Sequence, residues 1–144
     1  EFLSETYYHS LASLQSPNEF KNQVLKHKDA IEHYFGVTPK TFRNTELVYS
    51  DAIGEMVYDM GFRTMLTEGA KHVLGWKSPN FLYTCAQAPS LKLLLKNSGL
   101  SDDIAFETSA AEVYGKIVDM GTTIIQTDRP EMLIEYLRSR GLHE

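Results

Sequence analysis

The sequence predicts an α/β fold with a mainly parallel sheet of about five to six strands and flanking helices, similar to part of a (β/α) barrel. Short runs rich in β-branched and aromatic residues alternate with amphipathic helical segments, and a glycine ends each helical segment. The 144 residues suit one domain but fall well short of the roughly 250 residues of a complete (β/α)8 barrel. We therefore expect a single α/β domain over residues 1–144, in which the barrel stays incomplete.

Five helices are predicted from their boundary signals. The first has Ser16 before a proline and Glu19 at the capping-box spacing, and it ends at Gly36. The second begins at Ser50 and ends at Gly61, where a left-handed glycine is typical of a helix end. Counted from cap residue to final glycine, the five helical segments are residues 16–36, 50–61, 89–99, 109–121 and 128–141.

The β-rich runs lie between these helices. A strand followed by a helix and a parallel strand forms a right-handed crossover, and functional groups in such sheets lie at the carboxyl ends of the strands. The predicted strands are residues 2–8, 41–48, 62–67, 81–84 and 122–127, with residues 103–106 as a weaker sixth.

Composition excludes several classes of function. With 14 Lys and Arg against 19 Asp and Glu, the net charge of −5 has the wrong sign for a nucleic-acid or anionic-membrane partner. The single cysteine, Cys85, has no partner for a disulfide and no CxxC spacing. No His spacing is typical of zinc ligands either, so we expect no metal and no cofactor.

We expect a reducing, cytoplasmic setting, because cysteine is scarce and no apolar run approaches the length of a membrane span. The chain does not begin with Met, which suggests that a preceding segment has been removed.

The stretch FRNTELVYS over residues 42–50 is the strongest candidate for a site. It places Arg43, Asn44, Glu46 and Tyr49 around the carboxyl end of a strand, just before a helix begins. On a strand, Asn44 and Glu46 would share one face, because side chains alternate with period two. The alternative, to which we give equal weight, is that Glu46 pairs with a nearby arginine on a solvated rim.

The longer block FRNTELVYSDAIGEMVYDMGFRTMLTEGAKHVLGWKSPNFLY resembles the α-amylase-like enzymes of glycoside hydrolase family 57. EFLSETYYHSLASL before it and LKLLLKNSGLSDDIAF after it extend the likeness over residues 1–107. The resemblance implies an incomplete, seven-stranded (β/α) barrel and retaining hydrolysis or transfer of α-glucosidic bonds. RNTEL is similar to the family's nucleophile motif, which makes Glu46 the implied nucleophile. The family's acid is an Asp on a later strand, beyond this resemblance.

The same resemblance supplies sugar-contact candidates. It makes Glu5 and His9, on the first strand, plausible contacts, although a structural histidine is an alternative for His9. It also places Glu68, the acid of the TEG motif, on the substrate side of the barrel. Trp76, with Tyr83 nearby, either stacks on a glucose ring or covers the core. The candidate substrate-binding residues are Glu5, His9, Arg43, Asn44, Glu68, Trp76 and Tyr83.

The end of the chain resembles a different barrel. TTIIQTDRPE, within residues 109–144, is similar to the C-terminal strand and helix of glycerophosphodiester phosphodiesterases, where only Asp128 has a counterpart and the metal ligands are absent. A junction near residue 108 would make the chain an engineered or recombined α/β protein, built from barrel fragments and without a complete active site. This chimera is the leading interpretation from sequence.

Two alternatives remain. The chain is a retaining α-glucan hydrolase or transglycosylase that uses Glu46 with a substitute acid, Glu68 or Asp103, or it is a carbohydrate-binding remnant. The expected partner is an α-glucan or maltooligosaccharide. A homodimer through sheet edges is also expected, because an exposed parallel edge tends to pair.

Overall fold

The structure, a computed structural model, describes residues 2–106, 110–119, 121 and 130–143. The chain divides into two units, Glu1–Lys96 and Asn97–Glu144. The strands are β1 (Leu3–Ser4), β2 (Thr41–Arg43), β3 (Thr64–Glu68), β4 (Tyr83–Thr84) and β5 (Lys92–Lys96). The helices are α1 (Pro17–Phe35), α2 (Asp51–Asp59), α3 (Lys71–Leu74), α4 (Ser98–Phe106), α5 (Ala110–Asp119) and α6 (Pro130–Ser139). Short 3₁₀ turns cover Ala12–Leu14 and Thr45–Leu47.

The five strands of the first unit form one sheet in the order β1-β2-β3-β5-β4. All pairs are parallel except β4 with β5. This confirms the predicted mainly parallel sheet with flanking helices. Because β1, β2, β3 and β5 run the same way, their carboxyl ends meet at one end of the sheet. The edges are β1 and β4, and pairing of two copies through an edge stays a prediction.

One face of this sheet carries the hydrophobic core. Register places Phe42, Met65 and Leu93 side by side on neighbouring strands, and each is at most 4% exposed. Helices α1 and α2 contribute apolar side chains to the same cluster at the predicted helical spacing. These are Phe20 and Val24 from α1 and Ile53 and Val57 from α2.

The boundaries of α1 and α2 follow the predicted signals, with one exception. Helix α1 ends at Gly36 with a left-handed φ of 66°, and the Ser50 hydroxyl accepts a hydrogen bond from the Ile53 N–H at 3.2 Å. The predicted capping box at α1 does not form. Ser16 makes no side-chain cap bond, and the Glu19 carboxylate instead accepts a hydrogen bond from Gln23 Nε2 at 2.7 Å. The Ser-Pro pair still begins the helix there.

The predicted helix over residues 89–99 is wrong. Residues Lys92–Lys96 form β5, which pairs along its whole length with β3. Leucine favours helices, but burial here alternates: Leu91 and Leu93 are buried while Lys92 and Leu94 are exposed. The weaker strand over residues 103–106 is also wrong, since that segment belongs to α4.

Two predicted strands end early. Only Leu3–Ser4 of residues 2–8 is strand, so His9 lies in the loop that follows β1 and not on a strand. Strand β2 stops at Arg43, because Glu46 and Leu47 take left-handed φ angles of 52° and 56° that no strand accommodates. The strand predicted over residues 122–127, together with Ser109 and Asp128, falls outside the described residues.

The described helices of the second unit are α4, α5 and α6. On α5, Tyr114 and Ile117 are each 2% exposed, and the Tyr114 ring lies 5.9 Å from the ring of Tyr136 on α6. Both side chains are therefore buried. Met132 on α6 is 42% exposed. Among the described residues, no helix combines the length and apolar character that crossing a membrane needs.

Candidate active site

Four charged or ionisable side chains meet where β1 and β2 end. Glu5 follows β1, and its Oε2 lies 3.6 Å from Arg43 Nη1 at the end of β2. The same Glu5 oxygen lies 3.5 Å from His9 Nδ1, and His9 Nε2 lies 3.8 Å from Glu46 Oε1. The four side chains form a continuous row, Arg43–Glu5–His9–Glu46, in which basic and acidic groups alternate. Ion pairs this exposed add little stability, so the row matters for how it places Glu46.

Glu46 is presented to solvent. Its side chain is 72% exposed, and the backbone on which it sits has a left-handed φ of 52°. His9, its partner, has the same φ of 52°. Non-glycine residues rarely adopt this conformation, and such strain concentrates at functional sites when the surroundings hold it in place. Two strained residues with side chains in contact mark this turn as the candidate site.

The expectation that Asn44 and Glu46 share a face is wrong. Asn44 is fully buried, while Glu46 is exposed, because the chain leaves the strand between them. The Asn44 amide donates to Ser13 Oγ at 3.0 Å and to the Val48 carbonyl at 2.9 Å. This burial speaks against the expected sugar contact by Asn44.

His27 is a residue of this region that sequence reasoning missed. Its Nδ1 accepts a hydrogen bond from the Glu5 backbone N–H at 3.2 Å and lies 3.3 Å from Ser4 Oγ, which ties α1 to the end of β1. The signal was present in the sequence. His27 falls on the inward stripe of α1 between Val24 and Ile31, at spacings of three and four residues.

The aromatic candidates belong to other segments. Trp76 is 90% exposed, so the alternative that it covers the core is wrong. The Tyr83 hydroxyl on β4 donates to the Ser78 carbonyl at 2.7 Å. Among the side chains that the structure describes, no hydrogen bond or ion pair joins Trp76 or Tyr83 to the row that ends at Glu46.

Glu68 and Asp103 are the candidates for the second carboxylic acid. Glu68 is the exposed last residue of β3, at the same end of the sheet as Arg43. The register pairs Arg43 with Leu66, so Glu68, two residues further, lies on the face of the sheet that Arg43 occupies. Asp103 lies in α4, but its side chain falls outside the described residues.

Tyr49 turns away from the row. Its hydroxyl donates to Asp51 Oδ1 at 2.6 Å, and the same carboxylate oxygen accepts from the Ala86 backbone N–H at 3.1 Å. Both bonds favour the ionised carboxylate, and they hold the pKa of Asp51 below its ordinary value. Burial, with the bond to Asp51, raises the pKa of Tyr49. Asp51 therefore fixes the segment before β5 to the start of α2.

We expect Asp51→Asn to remove part of the acid dependence of stability. A carboxyl whose pKa is lowered by folding contributes stability above its unfolded pKa of about 3.9 and loses it as the pH falls through the folded pKa. Wild type is therefore more stable than Asp51→Asn at neutral pH, and the difference closes in acid. Urea unfolding between neutral pH and strong acid measures it. A difference that stays constant with pH would contradict this account of Asp51.

Comparison with known proteins agrees with the fold. The family model described as glycosyl hydrolase family 57 matches residues 1–140. A protein of Methanocaldococcus jannaschii named "Putative alpha-amylase" is 45% identical over 114 residues, which cover 78% of this chain and 24% of that protein. This chain thus spans about a quarter of the relative's length.

Two crystal structures are similar in fold. The 4-alpha-glucanotransferase of Thermococcus litoralis superposes with a TM-score of 0.64 at 15% identity, over 81% of this chain and 19% of that one. The structure titled "Crystal structure of putative polysaccharide deacetylase from Mycobacterium smegmatis" gives a TM-score of 0.53 at 18% identity, over 94% of this chain and 42% of that one. At these identities the likeness concerns the fold alone.

The family match corrects the interpretation of the end of the chain. It extends past the expected junction near residue 108 and reaches residue 140. The resemblance of residues 109–144 to glycerophosphodiester phosphodiesterases is left without support, and so is the engineered or recombined chimera. A β-rich run followed by a helix that begins near a proline is a local pattern that any (β/α) unit can carry, and TTIIQTDRPE has only that pattern.

Proposed function

The chain belongs to glycosyl hydrolase family 57, and we propose on that basis that it takes part in cleaving or transferring α-glucosidic bonds with Glu46 as the nucleophile. The observation that carries the proposal is the placement of an exposed carboxylate, 3.8 Å from His9 Nε2, at the carboxyl end of a parallel sheet. The names of the Methanocaldococcus relative and the Thermococcus structure favour an α-glucan as the substrate class.

The proposed first step is attack by Glu46 on the anomeric carbon. A bond forms between a Glu46 oxygen and that carbon, while the bond from the carbon to the departing oxygen breaks. His9 lies between the carboxylates of Glu5 and Glu46, so an imidazole N–H directed at Glu46 orients the carboxylate before it attacks. At the other end of the row, Arg43 pairs with Glu5 and holds its carboxylate in place.

The second step releases the sugar. Water attacks the anomeric carbon, the ester bond to Glu46 breaks, and the sugar leaves with its original configuration. Retention needs a second carboxyl about 5–5.5 Å from the first, which protonates the departing oxygen and later takes a proton from water. Glu68 is our candidate within the described residues, because it shares the end and the face of the sheet with Arg43.

We expect a nitrophenyl maltooligosaccharide to release its sugar as the α-anomer. Nitrophenolate departs without a proton, so this substrate tests the step assigned to Glu46 whether or not an acid lies in reach. Proton NMR, recorded before the anomers equilibrate, measures the configuration. Initial release of the β-anomer, or no turnover at all, would contradict the proposal.

A carbohydrate-binding role without turnover is the second candidate, and the exposure of Trp76 favours it. A tryptophan that is 90% exposed offers a ring face on which a glucose ring can stack. Because Trp76 is the only tryptophan, its fluorescence should change and saturate as maltooligosaccharide is added. The matched variant Trp76→Tyr, followed by calorimetry, should bind more weakly. An unchanged emission at millimolar sugar would count against this role.

A further inference from the structure

The turn that carries Glu46 holds two successive residues in a conformation that neither prefers. Glu46 has φ 52° and ψ 20°, and Leu47 has φ 56°. No glycine relieves this turn, so contacts outside it must keep the backbone in place. The direction in which the Glu46 carboxylate points depends on those contacts.

Asn44 supplies them at both ends of the turn. Its Oδ1 accepts from the Thr45 N–H at 3.0 Å, where the turn begins, and its Nδ2 donates to the Val48 carbonyl at 2.9 Å, where the turn ends. The second N–H of the same amide donates to Ser13 Oγ at 3.0 Å. The side chain is fully buried, so water does not compete for these bonds.

Thr45 links this turn to the loop that carries His9. Its Oγ1 lies 2.8 Å from Thr6 Oγ1, and both side chains are buried. Thr6 in turn fixes its own loop: its carbonyl accepts from the His9 N–H at 2.9 Å and its Oγ1 accepts from the Ser10 N–H at 3.0 Å. One hydroxyl pair therefore holds the backbone of Glu46 and the backbone of His9 in a fixed relation.

We propose that Asn44 and Thr45 are positioning residues that hold the Glu46 carboxylate beside His9. Neither side chain is accessible to a substrate, and each acts through the backbone of the turn. The effect on chemistry rests on the proposed role of Glu46 as nucleophile, whereas the effect on the turn itself does not.

Four variants test the proposal. Asn44→Asp keeps the acceptor for Thr45 but lacks the N–H groups that bond Ser13 and Val48. Thr45→Val removes the hydroxyl that meets Thr6, and Thr45→Ser restores it. The matched control is Thr67→Val, because the Thr67 hydroxyl is equally buried but has no hydrogen-bond partner in the part of the chain that the structure describes.

The first readout needs no activity. A residue with positive φ brings its own amide and α protons close together, which gives a strong cross-peak between them in NMR. We expect that cross-peak at Glu46 to weaken in Asn44→Asp and Thr45→Val and to persist in Thr45→Ser and Thr67→Val. A strong cross-peak in folded Asn44→Asp and Thr45→Val would overturn the proposal. If Asn44→Asp does not fold, the Thr45 pair decides.

The second readout is turnover of the nitrophenyl maltooligosaccharide. Misplacement of the nucleophile should lower kcat about ten-fold or more with little change in KM in Thr45→Val, with recovery in Thr45→Ser. Equal kcat in folded Thr45→Val and wild type would overturn the proposal. If wild type shows no turnover, the proposed function fails, and the NMR comparison still decides whether these residues hold the turn.

Discussion

Replacing Phe42 by Ala should lower the free energy of unfolding of the first unit by about 3–5 kcal/mol. Phe42 is fully buried at the centre of the sheet, with its ring 5.8 Å from the ring of Phe20 and 5.4 Å from that of Phe62. Removal of the ring leaves a cavity that a strand paired on both sides cannot close. The loss is a large fraction of the total stability of a domain this size.

Urea unfolding followed by circular dichroism measures this loss. Tyr34→Ala is the matched control, because it also removes an aromatic ring but from a side chain that is 76% exposed on α1. The control should change stability by no more than about 0.5 kcal/mol. Equal losses in the two variants would show that Phe42 does not lie at the centre of the core.

Glu46→Gln should reduce turnover of the nitrophenyl maltooligosaccharide by at least about a thousand-fold. The amide keeps the shape of the side chain but is a far poorer nucleophile, so the covalent intermediate does not form. Stability should hardly change, because the Glu46 side chain is 72% exposed and its 3.8 Å contact with His9 is a surface pair.

The control for this variant is Glu32→Gln on α1, an exposed carboxylate on a helix that should retain full turnover. Activity in Glu46→Gln equal to that in Glu32→Gln would remove Glu46 from the mechanism. The stability of both variants should match wild type, so that any loss of turnover in Glu46→Gln reports on chemistry and not on the folded fraction.

Local signals in the sequence predict much of the fold. The serine cap of α2, the proline at the start of α1 and the glycine that follows each helix act over one turn of backbone, so the bounds of α1 and α2 follow from residues beside them. The leucine run of β5 shows the limit. Its local preference is helical, but five residues of pairing with β3 outweigh that preference, and pairing is not local information.

The candidate site, like the fold, could be predicted from the sequence only in part. The residue types around Glu46 and the resemblance of RNTEL predict where the site lies. The short row through His9 depends on the left-handed backbone of His9 and Glu46, a conformation that the residue types at these positions do not by themselves require. The burial of Asn44 depends on Ser13, which is distant in sequence, so period-two reasoning placed Asn44 on the wrong face. These features of the site depend on contacts between distant segments, which local sequence patterns do not predict.

The most direct test of the central claim is to trap the covalent intermediate. A glucosyl fluoride that carries a second fluorine on its ring loses fluoride without an acid, and the ring fluorine slows release of the sugar, so the glycosyl ester accumulates. Peptide mass spectrometry should find one added fluoroglucosyl group on the peptide that contains Glu46, and none in Glu46→Gln. An unmodified Glu46 peptide in wild type, or the same adduct in Glu46→Gln, would contradict the assignment of Glu46 as the nucleophile.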